Sequence, residues 1–166
     1  MTHPLTTAEL VPEKLAQAWP MVRELAAGVS LESWCAFARA MLSPIDPAAS
    51  RRGILVVERK RTIRGLVTYE TMDDLSRGRL LLLRNAVVMD LALREPIAEL
   101  LHSSSIDVAR QAQCDGLCLE VVPQMAWIGE VWQARSSGLG TLPVSVIDVP
   151  PPVAEPRRGE VHTLPG

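Results

Sequence analysis

Apolar residues recur at Val11, Leu15, Ala18, Val22 and Leu25, the spacing of one helical face. Pro12 stands where a helix opens without needing its N–H, and Gly28 is a natural stop. Pro20 falls inside the pattern and removes an internal hydrogen bond, which predicts a kink or a division. A second helical period carries Trp34, Phe37, Ala38 and Met41 on one face. Ser30 is placed to cap that helix, with Glu32 in its first turn. Pro44 and Pro47 then force a loop.

The pattern next shortens to that of strands. Residues 53–58 read as a short apolar strand, Arg59-Lys60-Arg61-Thr62 as a polar turn, and residues 63–71 as an alternating strand rich in β-branched side chains. Together they predict a hairpin. Residues 73–78 form a second polar turn, and residues 80–91 a long apolar strand with room for a bulge or bend. Glu95-Pro96 opens a third helix with Ile97, Leu101, Ser104, Val108 and Ala112 on its buried face. It ends near Cys114-Asp115-Gly116, with the glycine as a left-handed cap. Residues 117–122 are a buried strand and residues 123–137 a fourth helix. Gly138-Leu139-Gly140 breaks that helix, and residues 142–149 are a last strand. The order α, α, β, β, β, α, β, α, β places antiparallel hairpins first. A right-handed crossover then makes two strands parallel. This is one α/β domain over residues 1–149. From Pro150 there are four prolines in seven residues and no apolar period, so residues 150–166 read as a disordered, proline-rich tail.

Composition narrows the functional classes. A net charge of −2 gives no global attraction to nucleic acid or an anionic membrane. Aromatic residues make up 4% of the chain, too few for a base-stacking platform. No run of about 18 apolar residues exists to span a bilayer, and the N-terminus lacks the pattern of a signal peptide. Cys35, Cys114 and Cys118 are odd in number and lack the spacing of a zinc site. They read as buried free thiols, which fits a cytoplasmic location. Between residues 51 and 94, ten Lys/Arg face five Asp/Glu. That basic run reads either as an anion-recognising edge or as a solvated hairpin whose charges block edge-to-edge pairing.

The element order and hydrophobic texture over residues 8–149, including the stretch from Ile63 to Val122, resemble the GNAT-type N-acetyltransferase superfamily. The resemblance implies a mixed, mainly antiparallel sheet flanked by four helices. It implies acyl transfer from acetyl-CoA to a small-molecule or other amine acceptor, and an exposed sheet edge suited to a homodimer. In that family a loop of the form Q/R-x-x-G-x-G/A, between the central strand and the third helix, holds the cofactor's pyrophosphate on backbone N–H groups. The matching stretch here is Ala92-Leu93-Arg94-Glu95-Pro96-Ile97-Ala98, so Glu95 and Ile97 stand where the glycines belong. Pro96 removes one donor and Glu95 opposes an anion, while Arg94 supplies the one compensating charge. A lost N–H costs about 1–3 kcal/mol if the phosphate oxygen stays unpaired. The cofactor-binding positions implied are Val88, Met89, Leu91, Ala92, Arg94, Ile97 and Ala98.

The resemblance also implies a carboxylate base on the central strands, for which Asp90 and Glu120 are the candidates and Glu70 a third. The plainer reading of Asp90 is a strand-end carboxylate capping the next turn. Glu120 is a base if it points inward and a solvated residue if outward. The tyrosine that many members use to protonate the departing thiolate has no counterpart on the fourth helix, because the one tyrosine is Tyr69 on an early strand. The alternative is a non-catalytic binding module of the same fold. His102 reads as structural, and Ser103-Ser104-Ser105 as small residues that let a helix approach the sheet.

Overall fold

A computed structural model describes residues 3–46, 50–137 and 142–148. The glycine break at 138–140, Val149 and the proline-rich tail lie outside them. Six strands form one sheet in the order β1-β2-β3-β4-β5-β6. They are β1 (Thr6–Glu9), β2 (Arg52–Arg59), β3 (Thr62–Asp74), β4 (Gly78–Val88), β5 (Gly116–Val121) and β6 (Val144–Asp148). β1 to β4 pair antiparallel, while β4–β5 and β5–β6 pair parallel. Four helices flank the sheet: α1 (Leu15–Leu25), α2 (Leu31–Leu42), α3 (Arg94–Gln111) and α4 (Ala126–Arg135).

Side-chain alternation sorts the sheet into two faces. Leu55, Val57, Val67, Leu81, Leu83 and Leu119 pack with Ile97, Leu101 and Trp132 under α3 and α4. Ile54, Val56, Leu66 and Val87 pack with Leu15, Ala18, Met21 and Trp34 under α1 and α2. Two buried indoles have their N–H groups satisfied, Trp34 by the Leu15 carbonyl at 2.7 Å and Trp132 by the Ala98 carbonyl at 3.0 Å.

Several expectations need correction. β1 carries no apolar alternation, and its four residues are exposed. Its identity as a strand comes from its ladder to β2, from Thr6 opposite Glu58 to Glu9 opposite Leu55. Because β1 covers β2, the basic β2–β3 hairpin is no sheet edge, and its charges block no pairing. Pro20 does not divide α1. It lies on the exposed side of the helix, which runs through it unbroken from Leu15 to Leu25. Val11 precedes the helix in extended conformation and is exposed. Ser105, rather than Ser104, is the fully buried serine of α3, and its hydroxyl donates to the Leu101 carbonyl at 2.7 Å. The left-handed residue after α3 is Gln113, at φ 56°, while Gly116 begins β5. Met89, Asp90 and Leu91 lie beyond the end of β4.

The expected hairpin is present, with Lys60 and Arg61 both at positive φ in its two-residue turn. Ser30 caps α2 by accepting from the Ser33 N–H at 3.1 Å. β4 does carry a bulge. Leu66 pairs with Val87 and Thr68 with Arg84, so Val67 alone faces Asn85 and Ala86. Asn85, at φ 55°, takes the strained position.

Candidate functional site

The bulge lies where β4 leaves β5. Their pairing runs from Leu80–Gly116 to Leu83–Leu119, while β4 continues through Arg84 to Val88. Past Leu83, the backbone groups of β4 on that side have no strand ladder. An opening of this kind takes an extended ligand by backbone hydrogen bonds. The Asn85 side chain locks the bulge by donating to Thr68 Oγ1 at 3.1 Å, and that hydroxyl donates to the Arg84 carbonyl at 3.0 Å.

The β4–α3 turn is built differently. The Met89 N–H donates to the Arg64 carbonyl at 2.9 Å, and the Leu93 N–H donates to Asp90 Oδ1 at 3.1 Å. Asp90 therefore serves as the cap of its own turn. Of the first three residues of α3, Arg94 and Glu95 carry an N–H and Pro96 does not. Arg94 lays its guanidinium over the Trp127 ring at 5.3 Å, on the outer side of the turn. Val88 is buried, Met89 and Ala92 are exposed, and Leu91 is 93% exposed. Ile97 and Ala98 are core residues with no exposure. A side chain at Gly65 would meet Ile97 Cγ2 at 2.5 Å, so the start of α3 sits hard against β3.

Glu120 lies on the opposite face of the sheet from α3 and α4. Arg84 donates to it through Nε at 2.8 Å and to Glu70 through Nη1 at 3.0 Å. The three charges thus form a row across β3, β4 and β5, with side-chain exposures of 39%, 47% and 27% in strand order. Within this hydrogen-bonded trio two carboxylates share one guanidinium, and Arg52, opposite Glu70 in the β2–β3 ladder, brings a second cation to the same face. Asp90 and Glu120 are not brought together, since one is consumed in a turn and the other joins a cross-strand network.

Tyr69 is fully engaged. Its hydroxyl donates to Glu9 on β1, and burial followed by that carboxylate pushes its pKa well above the ordinary phenol value. His102 is buried, with Nε2 3.0 Å from Ser136 Oγ and its ring against Trp132. Burial first, then Arg135, lowers its pKa. Both are structural. No group of metal-ligating side chains exists among the described residues, and no described helix is long and apolar enough to cross a membrane.

Two adjoining cavities complete the region. One, of about 260 Å³, lies among Val22, Leu25, Val29, Trp34 and Phe37. The other, of about 180 Å³, reaches Thr68, Glu70, Leu82 and Arg84. Phe37 and Asn85 line both. The motif in the sequence did not point to Phe37, Asn85 or Arg84. Phe37 read as core yet is 43% exposed, because the face of α2 turns past the sheet there.

No family model matches the sequence, and no curated protein does. Solved structures do. An aminoglycoside N-acetyltransferase in complex with CoA superposes with a TM-score of 0.67 at 12% identity, over 81% of this chain and 88% of that one. A ribosomal-protein-alanine N-acetyltransferase from Brucella melitensis biovar Abortus 2308 gives 0.62 at 15% identity, over 82% and 94%. A protein described as a transcriptional regulator from Bacillus halodurans C-125 gives 0.64 at 14% identity, over 82% and 95%. The chain therefore carries the GNAT-type N-acetyltransferase fold in a divergent form. The third neighbour's description shows that a likeness of this degree is one of fold, and activity has to be argued from the site.

Proposed function

We propose that the protein transfers an acyl group from acetyl-CoA to an amine, gripping the cofactor mainly at its thioester arm. The observation that carries this is the opening between β4 and β5 beyond Leu83–Leu119, fixed by the Asn85 bulge and bordered by a carboxylate-bearing cleft. Backbone groups of residues 84–88 suit the pantetheine arm. The pyrophosphate end fits poorly: the turn's N–H of Leu93 is spent on Asp90, Pro96 has none, and the Glu95 carboxylate is exposed. There, Arg94 and the N–H groups of Arg94 and Glu95 are what the chain offers. When bound, acetyl-CoA supplies an activated acyl carbon.

The chain's own part is to orient the amine and take its proton. Glu120 and Glu70, held by Arg84 at the mouth of the opening, accept hydrogen bonds from an ammonium group, and Glu120 is the proton acceptor. Among the residues of α4 no phenol is present to protonate a departing thiolate. That absence, with the self-capped turn, favours a second reading: a binding module that keeps the fold and the cleft without turnover.

Calorimetric titration with acetyl-CoA, and with CoA as second ligand, tests the proposal. Micromolar binding followed by acyl transfer to amines supports the enzyme, and binding without transfer supports the module. No heat at millimolar cofactor removes acetyl-CoA from both readings.

A further inference from the structure

Resting on the acyl-transfer reading, we infer that the acceptor is a primary amine carried on an aromatic or branched aliphatic body, rather than a polyhydroxylated amine. The body occupies the chamber between α1 and α2, and the ammonium group lies at Asn85 and Glu70, which line the adjoining cavity, with Glu120 beyond Arg84 on the next strand.

The chamber is apolar by construction. Val22, Leu25, Val29, Trp34 and Phe37 line it, and Trp34 has already given its indole N–H to the Leu15 carbonyl. The Phe37 ring stands 6.0 Å from the Trp34 ring, tilted by 33°, and remains 43% exposed in the middle of a helix. An exposed aromatic that lines two adjoining cavities gains by being covered, and such surfaces take apolar bodies. Ser33 and Asn85 are the polar side chains of its lining, so most hydroxyl groups of a sugar-like acceptor would lose water without finding a partner there. The combined space is of the few-hundred-Å³ scale of small-molecule sites.

The floor supplies the complementary charge. Glu70 and Glu120 share the single Arg84 guanidinium, so each carboxylate keeps an oxygen that Arg84 does not bond. Asn85 spends its Nδ2 on Thr68, and its Oδ1 makes no hydrogen bond with any described residue. Carbonyl and carboxylate oxygens accept from an ammonium group. Asn85 also lies two residues past Leu83, the last β4 residue paired with β5, so the nitrogen is delivered to the opening where the acyl carbon is expected.

The test is a binding measurement without cofactor, following the quenching of tryptophan fluorescence with 2-phenylethylamine, its neutral analogue 2-phenylethanol, and glucosamine. The amine is expected to bind about tenfold more tightly than either control, the scale of a single charge-assisted contact of about 1.4 kcal/mol. Phe37→Ala, at an exposed position that the fold does not need, is expected to lower affinity for both phenyl compounds. Glu70→Gln with Glu120→Gln is expected to erase the preference for amine over alcohol. Equal affinities for the three compounds, tighter binding of glucosamine, or no saturable change with any of them overturns the inference. Because cofactor is absent, these results stand apart from the acetyl-CoA titration. A protein that binds acetyl-CoA but shows no amine preference loses only this inference, and one that binds the amine but no acetyl-CoA loses only the acyl-transfer reading.

Discussion

The β4–α3 turn and the floor of the α1–α2 cleft both carry carboxylates that the sequence offers as candidate bases, and they use them in opposite ways. In the turn, Asp90 bonds a backbone N–H three residues away, so its charge stabilises local structure. On the floor, Glu70 and Glu120 reach across strands to one arginine and remain partly open to water. A group that satisfies its own backbone is unavailable to a ligand without a cost in fold. A group in an exposed ion pair exchanges partners at little cost. The floor thus keeps carboxylates open to solvent, while the turn has spent one on its own backbone.

The sharpest way to break this comparison is to reopen the turn. Replacing Glu95 by glycine and Pro96 by alanine removes a carboxylate and restores an N–H at the start of α3. Each unsatisfied phosphate oxygen is worth about 1–3 kcal/mol, and each 1.4 kcal/mol is a factor of ten. The dissociation constant for CoA is expected to fall by about 10- to 100-fold, measured by calorimetry. An unchanged constant would mean that the pyrophosphate does not sit at this helix.

A smaller effect separates the two roles read for Asp90. Asp90→Ala is expected to lower unfolding free energy by about 1 kcal/mol, while Asp90→Asn, which still accepts the Leu93 N–H, costs only a few tenths. Denaturant midpoints check both. If the asparagine variant folds as well as wild type yet loses transfer activity, Asp90 is a base after all and the turn is not closed.

Much of the fold was legible because its period is strong. The two faces of the sheet follow from alternation in β2 to β5, and the hairpin, the Ser30 cap and the β4 bulge each had a local signal. β1 had none, since Thr6–Glu9 are all exposed and are held by a ladder to a strand more than 40 residues away and by the Tyr69 hydroxyl on Glu9. The site was less legible for a related reason. Thr68, Glu70, Arg84 and Glu120 share a face only once the register of three strands is known, and register is a long-range property. Phe37 misled because helical spacing shows which residues share a stripe, not where the sheet beneath the stripe ends. The loop residues from Ala92 to Ala98 do stand at a helix start, but the bond from the Leu93 N–H to Asp90 is one that no motif records.

The finest test asks whether the row on the floor is a staple or a site. Its members are between a quarter and a half exposed, so the ion pairs contribute at most about 1 kcal/mol and are screened by salt. Arg84→Gln is therefore expected to move the denaturation midpoint little. It also removes one positive charge from the floor, and the affinity for a cationic amine should rise at low ionic strength and return toward wild type as salt is added. A staple would give the reverse pattern, with a clear loss of stability from two facing carboxylates and no change in amine affinity. The salt series decides between them, because repulsion between Glu70 and Glu120 and attraction of an ammonium group draw on the same two charges but register in different measurements.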